Sequence, residues 1–242
     1  MSKVSSLPVI SCIMPTSNRR CFVAQSIWYF LRQDYPQSEL IIVDDGQDAV
    51  ADLLPDDPRI RYIYLKERVS LGAKRNIACE MSRGELIAHW DDDDWIAPDR
   101  LTIQVQALMS SGADICGLHE LLYYRPAVGD AWLYRYLAHE RPWVAGGTMV
   151  YRRAVWDAHR FPDLNVGEDS ALVFQLPAHS IHALEDPSFY IALIHSGNTG
   201  AKNLADRHWQ SYPLAEIYRI LAPDRAYYTD LFADYHTHEL MR

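Results

Sequence analysis

The sequence predicts an α/β fold, with a mostly parallel sheet and helices on both faces. Two observations carry that prediction. In the first half, short apolar runs alternate with segments of helical period, the pattern of parallel strands joined by crossover helices. Three of those runs end in polar clusters, Pro15-Thr16-Ser17-Asn18-Arg19, Asp44-Asp45-Gly46 and Asp91 to Asp94. Ligands of such sheets bind outside the carboxyl ends of the strands.

Taken in order, Val9-Ile10-Ser11-Cys12-Ile13-Met14 reads as a strand closed by Pro15. Phe22, Val23, Ser26, Ile27, Phe30 and Leu31 then recur at helical spacing. Leu40-Ile41-Ile42-Val43 is a second strand, stopped by the turn signal Asp44-Asp45-Gly46. Residues 60–65 form a third, and a helix is expected over 73–81, ending near Gly84. Leu86 to Trp90 is a fourth strand, and a helix over 98–109 is stopped by Gly112. The second half is less regular. Strands are expected over 114–122, 146–151 and 189–194, with Gly146 and Gly147 allowing close backbone approach. A short helix follows Gly167-Glu168-Asp169, and the aromatic-rich tail is expected to be helical over 205–221.

Composition narrows the function classes. The chain has 242 residues, of which 49 % are apolar, enough for a folded core. No apolar stretch reaches the roughly 20 residues that span a bilayer, and the first residues carry no secretory signal pattern. The four cysteines are scattered without a CxxC pair, which favours a reducing compartment. The net charge of -9 argues against a nucleic-acid partner. A nucleotide needs only a local basic site and stays compatible.

The run Asp91 to Asp94 is the strongest chemical signal. It follows the apolar run Leu86-Ile87-Ala88-His89-Trp90. Side chains alternate along an extended chain, so Asp91 and Asp93 are expected on one side. Like charges there repel unless a proton or a cation intervenes. Hard oxygen ligands suit Mg²⁺ or Mn²⁺, with a phosphate completing the shell. The competing reading is an acidic helix start, which is stabilising in itself.

Five segments in this order resemble family 2 glycosyltransferases of the GT-A (Rossmann-like) fold. They are residues 9–19, residues 40–46, Leu71-Gly72-Ala73-Lys74-Arg75-Asn76, residues 84–101 with the four aspartates, and Gly167-Glu168-Asp169. The resemblance implies metal-dependent transfer of a sugar from a nucleotide-diphosphate sugar to an acceptor hydroxyl, with inversion as the expected outcome and retention the alternative, since GT-A folds host both. It implies a glycosyltransferase domain over 1–200, with a nucleotide-binding half over about 7–112 and an acceptor half over about 113–200. Residues 201–242 then form a helical C-terminal appendage. The QxxRW motif of processive synthases is absent from the sequence, which favours transfer of a single sugar.

The resemblance also assigns roles. Asp93 would bind the metal, with Asp91 beside it; Asp91 or Asp92 would hold ribose or metal-bound water. Late histidines sit at the metal in related enzymes, which makes His195 a third candidate ligand. Pro15, Thr16, Asn18 and Arg19 would shape the base pocket, and Asp44 and Asp45 would accept hydrogen bonds from base or ribose. Arg75, with Lys74 as the lesser partner, would meet the diphosphate. Asp169 would be the general base, with Glu168 beside it orienting the acceptor or raising the base's pKa. Mn²⁺ or Mg²⁺ is the expected cofactor and a UDP-sugar the default donor. The acceptor, whether glycan, lipid-linked or protein, stays open.

Trp132, Tyr134, Tyr136 and Trp143 suit sugar rings and cores equally well. The tail aromatics, Trp209, Tyr212, Tyr218, Tyr227, Tyr228 and Tyr235, are expected to pack on the core. Covering the acceptor site, forming a homodimer and touching a membrane-bound acceptor are the alternatives. The expected location is the cytoplasm, with a peripheral place at the inner membrane face also open. Two other functions compete. A nucleotidyltransferase would carry a glycine-rich first loop, and 15–19 contains no glycine. A non-catalytic nucleotide- or sugar-binding module would not depend on Asp169.

Overall fold

The computed structural model describes residues 7–136 and 141–239, the side chains of 233–239 excepted. Tyr235 therefore lies outside the described side chains. The first half runs β1 (Ile10–Thr16), α1 (Arg20–Leu31), β2 (Ser38–Asp44), β3 (Ile60–Tyr64), α2 (Leu71–Met81), β4 (Leu86–His89), β5 (Trp95–Ile96) and α3 (Arg100–Ser111). The second half runs β6 (Ile115–Leu118), β7 (Glu120–Arg125), β8 (Asp130–Arg135), β9 (Val150–Arg152), α4 (Arg153–Ala158) and α5 (Glu168–Val173). It continues with β10 (Ile181–Leu184), β11 (Tyr190–Leu193), β12 (Trp209–Ser211), α6 (Leu214–Leu221) and α7 (Arg225–Glu239).

Among the described residues the strands form two sheets. The larger has the order β10-β6-β9-β4-β1-β2-β3. It is parallel except for β9, which runs antiparallel to both β4 and β6. Strands β1 and β2 are buried along their whole length, as expected of strands covered on both faces. Alternation then sends side chains to two cores. Cys12, Met14, Leu40, Ile42 and Ala88 meet α1 and α3 on one face. Ile13, Ile41, Val43 and Ile87 meet Ala78 and Cys79 of α2 and Leu172 of α5 on the other. This is the expected α/β architecture.

Local signals explain the helix ends. The Ser70 hydroxyl accepts from the Ala73 N–H at 3.1 Å and starts α2. Gly112, at φ 68°, closes α3 in the left-handed conformation.

The second half contains β8, α4 and β10, which the sequence pattern does not announce, and three expected segments also differ. The single strand over 114–122 is two strands, parted at His119 and belonging to different sheets. Residues 146–148 form a tight 3₁₀ turn instead of the start of a strand. The helix expected from 205 begins at Leu214, because 209–211 pair with β8 as β12. The smaller sheet has the order β12-β8-β7-β11-β5. The C-terminal helices pack on the main core through Ile217, Leu221, Tyr228 and Phe232. The Tyr228 hydroxyl meets that of Tyr29 at 2.7 Å. Asp224 pairs with Arg32 at 2.7 Å and accepts from the Trp95 indole at 2.7 Å. No described helix is long and apolar enough to cross a membrane.

Candidate active site

Strands β1, β2 and β4 end side by side. Thr16 pairs in register with Asp44, and Ile13 with His89. The chain beyond β4 therefore emerges over the loop that follows β1. A cavity of about 1300 Å³ opens there. Its walls include Pro15, Thr16, Arg19, Lys74, Arg75, all four aspartates, Gly146, Gly147, Glu168 and Asp169. Segments distant in sequence thus meet at one place.

The four aspartates have four different settings. Asp91 faces Arg75 at 3.5 Å. Asp92 accepts from the Thr16 hydroxyl at 2.6 Å and from Arg19 at 3.3 Å. Asp93 accepts from Arg19, from His195 Nε2 at 3.0 Å and from the Asn198 amide at 3.4 Å. Asp94 turns away to accept from the Tyr190 hydroxyl and from the Leu193 N–H at 2.8 Å, which ties the run to β11.

Crowding shows in their protonation. Burial drives Asp92 up to about 7 against the pull of Arg19. Burial also raises Asp94, with Asp93 and Asp91 adding repulsion. Asp91 is raised by its enclosure first, although Arg75 opposes this. Its side chain is 29 % exposed, so water softens the push there. Asp93 alone is lowered: burial opposes its charge, but the bonds from His195 and Arg19 outweigh that. Burial and mutual repulsion thus oppose full ionisation of the run, and added positive charge would relieve both.

The donor set fits a hard divalent ion: carboxylate oxygens grouped at a cavity wall. The Arg19 guanidinium stands there now as the cation, bridging Asp92 and Asp93 and donating to the Gly197 carbonyl. Among the described residues no three His, Cys, Asp or Glu side chains converge to hold an ion unaided. Oxygens from a phosphate would have to complete a shell. His195 is held by its loop. Its Nδ1 accepts from the Gly197 N–H at 3.1 Å, which assigns the ring proton to Nε2, facing Asp93.

Other expected residues are engaged in holding loops and in ion pairs, with Asp44 and Asp45 buried and Asn18 exposed. Asp44 accepts from the N–H groups of Gly46 and Val50 at 2.8 and 3.1 Å and from the Tyr62 hydroxyl at 2.8 Å, folding the loop after β2. Asp45 pairs with Lys74 at 2.8 Å and accepts from the Val69 N–H at 3.0 Å. Lys74 also donates to the Thr16 carbonyl at 3.0 Å. Asn18, at φ 55°, accepts from the Asp48 N–H at 3.2 Å. Arg75 is 3 % exposed and sits between His89, Asp91 and Glu168. Its Nε lies 3.2 Å from Glu168 without hydrogen-bond geometry. Burial pushes Glu168 up to about 7, although Arg75 opposes this.

Asp169 borders the cavity with one oxygen accepting from the Ser170 N–H at 2.6 Å. The turn Gly146-Gly147 presses its backbone against both acidic groups. A Cβ on Gly146 would lie 2.7 Å from the Asp169 Cγ, and one on Gly147 would lie 2.5 Å from an Asp91 oxygen. Only glycine leaves room for the two carboxylates. The turn is held from behind by Arg100, fully buried, which donates to the carbonyls of Gly147 and His89 at 2.9 Å each. Sequence reasoning singled out neither Arg100 nor Asp94 for these roles. Their only signal is their place in the acidic run or shortly after it.

The Glycosyl transferase family 2 profile matches residues 11–158, more than half of the chain. A putative colanic acid biosynthesis glycosyl transferase, WcaA of Escherichia coli, is 41 % identical over 101 residues, 40 % of this chain and 36 % of that protein. A putative teichuronic acid biosynthesis glycosyltransferase, TuaG of Bacillus subtilis, is 35 % identical over 107 residues, 42 % of each chain. These matches span less than half the length of either relative. Among solved structures, S. aureus TarS 1-349 in complex with UDP-GlcNAc superposes with a TM-score of 0.63 at 19 % identity. That match covers 79 % of this chain and 60 % of TarS 1-349. The mannosyltransferase PcManGT from Pyrobaculum calidifontis, in complex with GDP-Man and Mn²⁺, gives 0.62 at 17 % identity, covering 95 % of this chain and 74 % of that one. At such identities the superpositions speak for the fold, which is GT-A. The extent of the profile match decides the kinship: the chain belongs to glycosyl transferase family 2.

Proposed function

We propose that this chain transfers one sugar from a nucleotide-diphosphate sugar to an acceptor hydroxyl, with inversion at the anomeric carbon. One observation carries the reading. A single cavity has the acidic strand end, Asp91 to Asp93, on one wall and the Asp169 carboxylate on another, with the Gly146-Gly147 turn between them. That is room for a donor on one side and an incoming hydroxyl on the other.

Asp169 takes the acceptor proton as the oxygen forms its bond to the anomeric carbon and the bond to the diphosphate breaks. Asp93 and Asp91 would hold Mn²⁺ or Mg²⁺, which when bound supplies positive charge to the departing diphosphate. His195 orients Asp93 through its Nε2 proton; it can bind an ion itself only in the other tautomer, after giving up the Gly197 N–H. Lys74 and Arg75 place positive charge at the base of the cavity, and either reaches the diphosphate by exchanging a present partner. Pro15, Thr16 and Arg19 border the nucleotide end, while Asn18, Asp44 and Asp45 keep its loops in shape. Uridine stays the default base: TarS holds UDP-GlcNAc, whereas PcManGT holds GDP-Man.

The test is Asp169→Asn. It should bind the nucleoside diphosphate within about twofold of wild type and lose turnover by about 10²–10⁴. Equal turnover in the two proteins would end the assignment.

A further inference from the structure

The cavity has a further wall that this chemistry does not use. Its lining also includes Tyr123, Tyr134, Trp143 and Trp209. These residues come from both strands of the β7–β8 hairpin, from the segment leading to Gly146 and from β12. The rings interlock. Tyr123 and Trp209 lie 4.6 Å apart between centroids, Tyr134 and Trp209 5.2 Å, and Tyr134 and Trp143 6.1 Å. His208 stacks on Tyr134 at 5.5 Å.

An aromatic layer of this kind is usually core. Here Tyr134, Trp143 and Trp209 are only partly buried and share the cavity with Asp169. Trp143 is also tied to that residue. Its indole N–H donates to the Ser170 hydroxyl at 3.1 Å, and the Ser170 N–H donates to Asp169 at 2.6 Å. The layer is therefore fixed in position relative to the carboxylate. The settled Trp143 indole has its polar atom satisfied and contributes hydrophobic surface to the wall. A pyranose presents flat patches of C–H that lie against such rings, with hydroxyls projecting at the rim. A peptide hydroxyl or a bare lipid phosphate offers no such face.

We infer that the wall formed by Tyr134, Trp143 and Trp209 is the acceptor subsite, and that the acceptor is a saccharide whose terminal pyranose lies against it with one hydroxyl directed at Asp169. This rests on the transferase reading above. It makes the terminal ring, and not the carrier beyond it, the part of the acceptor that is recognised.

Saturation-transfer NMR tests it on the whole chain. The probes are methyl α- and β-hexopyranosides and their N-acetylhexosamine counterparts, with acyclic sorbitol as the control. Each is added to protein held with Mg²⁺, which is diamagnetic, and a nucleoside diphosphate. Ring C–H protons of at least one pyranoside should receive saturation at several times the sorbitol level. Tyr134→Leu or Trp209→Leu should cut that signal at least fivefold, and Tyr134→Phe, which keeps the ring, should restore it. Nucleoside diphosphate binding should be equal in all four proteins, which also shows the variants to be folded. No pyranoside signal above sorbitol, or a signal indifferent to Tyr134→Leu and Trp209→Leu, overturns the inference. Diphosphate binding in the wild type alongside that failure leaves the transferase reading standing; its absence removes both.

Discussion

Replacing Gly146 with alanine separates catalysis from folding. The added Cβ would lie 2.7 Å from the Asp169 Cγ and 3.0 Å from its Cβ, and nearer still to one carboxylate oxygen. Carbon atoms sit comfortably about 3.5–4.0 Å apart. The carboxylate must therefore retreat by about 1 Å, and a misplacement of that size costs about 10² in rate. The obstructing atoms belong to one side chain at the cavity edge; its carboxylate can rotate away and its Cβ needs to give only a few tenths of an ångström, so the fold should tolerate the change. Release of nucleoside diphosphate from the donor, followed at saturating donor, gives kcat; calorimetry gives donor-site affinity; a melting curve gives Tm. The expected pattern is kcat down about 10², diphosphate affinity within about twofold and Tm within a few degrees. A variant with wild-type kcat would refute the place given to Asp169. So would a loss of diphosphate affinity as large as the loss of rate.

Three further outcomes are expected. Gly72→Ala should show the reverse pattern, because its Cβ would run into the backbone carbonyl of Pro162, whose carbon lies 3.1 Å away; backbone cannot rotate aside, and denaturant unfolding should show a loss of about 1–3 kcal/mol. Gly147→Ala should weaken metal-dependent diphosphate binding, since its Cβ would meet an Asp91 oxygen at 2.5 Å and the Tyr190 ring at 3.2 Å; calorimetry in Mn²⁺ reads this. Glu168 is raised from about 4.5 to about 7 by burial, Arg75 notwithstanding. The folded chain thus holds that proton more tightly than the unfolded one, so the wild type should lose stability relative to Glu168→Gln as pH rises from about 4.5 to about 7, and the difference should level off above. Unfolding midpoints of the two proteins across that range supply the check.

The first half of the fold was legible because its strands are apolar on both faces and stop at charge. Ile41-Ile42-Val43 followed by Asp44 leaves little freedom of interpretation. The second half was not. The apolar residues of β6 and β7 are parted only by His119 and Glu120, and periodicity cannot show that the two runs serve two sheets. Edge strands β10 and β12 are short and only half-buried or exposed, so they carry no apolar run. Within the site, the run Asp91 to Asp94 marked a cluster of carboxylates at a strand end but not the division of labour among them. That Asp94 turns to Tyr190 depends on β11, about 100 residues downstream. The closeness of Gly146 to Asp169 is likewise a long-range fact, although two adjacent glycines near a strand already hinted at close approach.

Calorimetric titration of UDP, GDP, dTDP and CDP into the wild type and Asp93→Ala, with and without Mn²⁺, tests the central claim most directly. One nucleotide should bind in a metal-dependent way to the wild type, and that binding should be lost in Asp93→Ala. Absence of binding by all four nucleotides under both conditions, or equal binding by the two proteins, would contradict a metal and diphosphate site at this strand end.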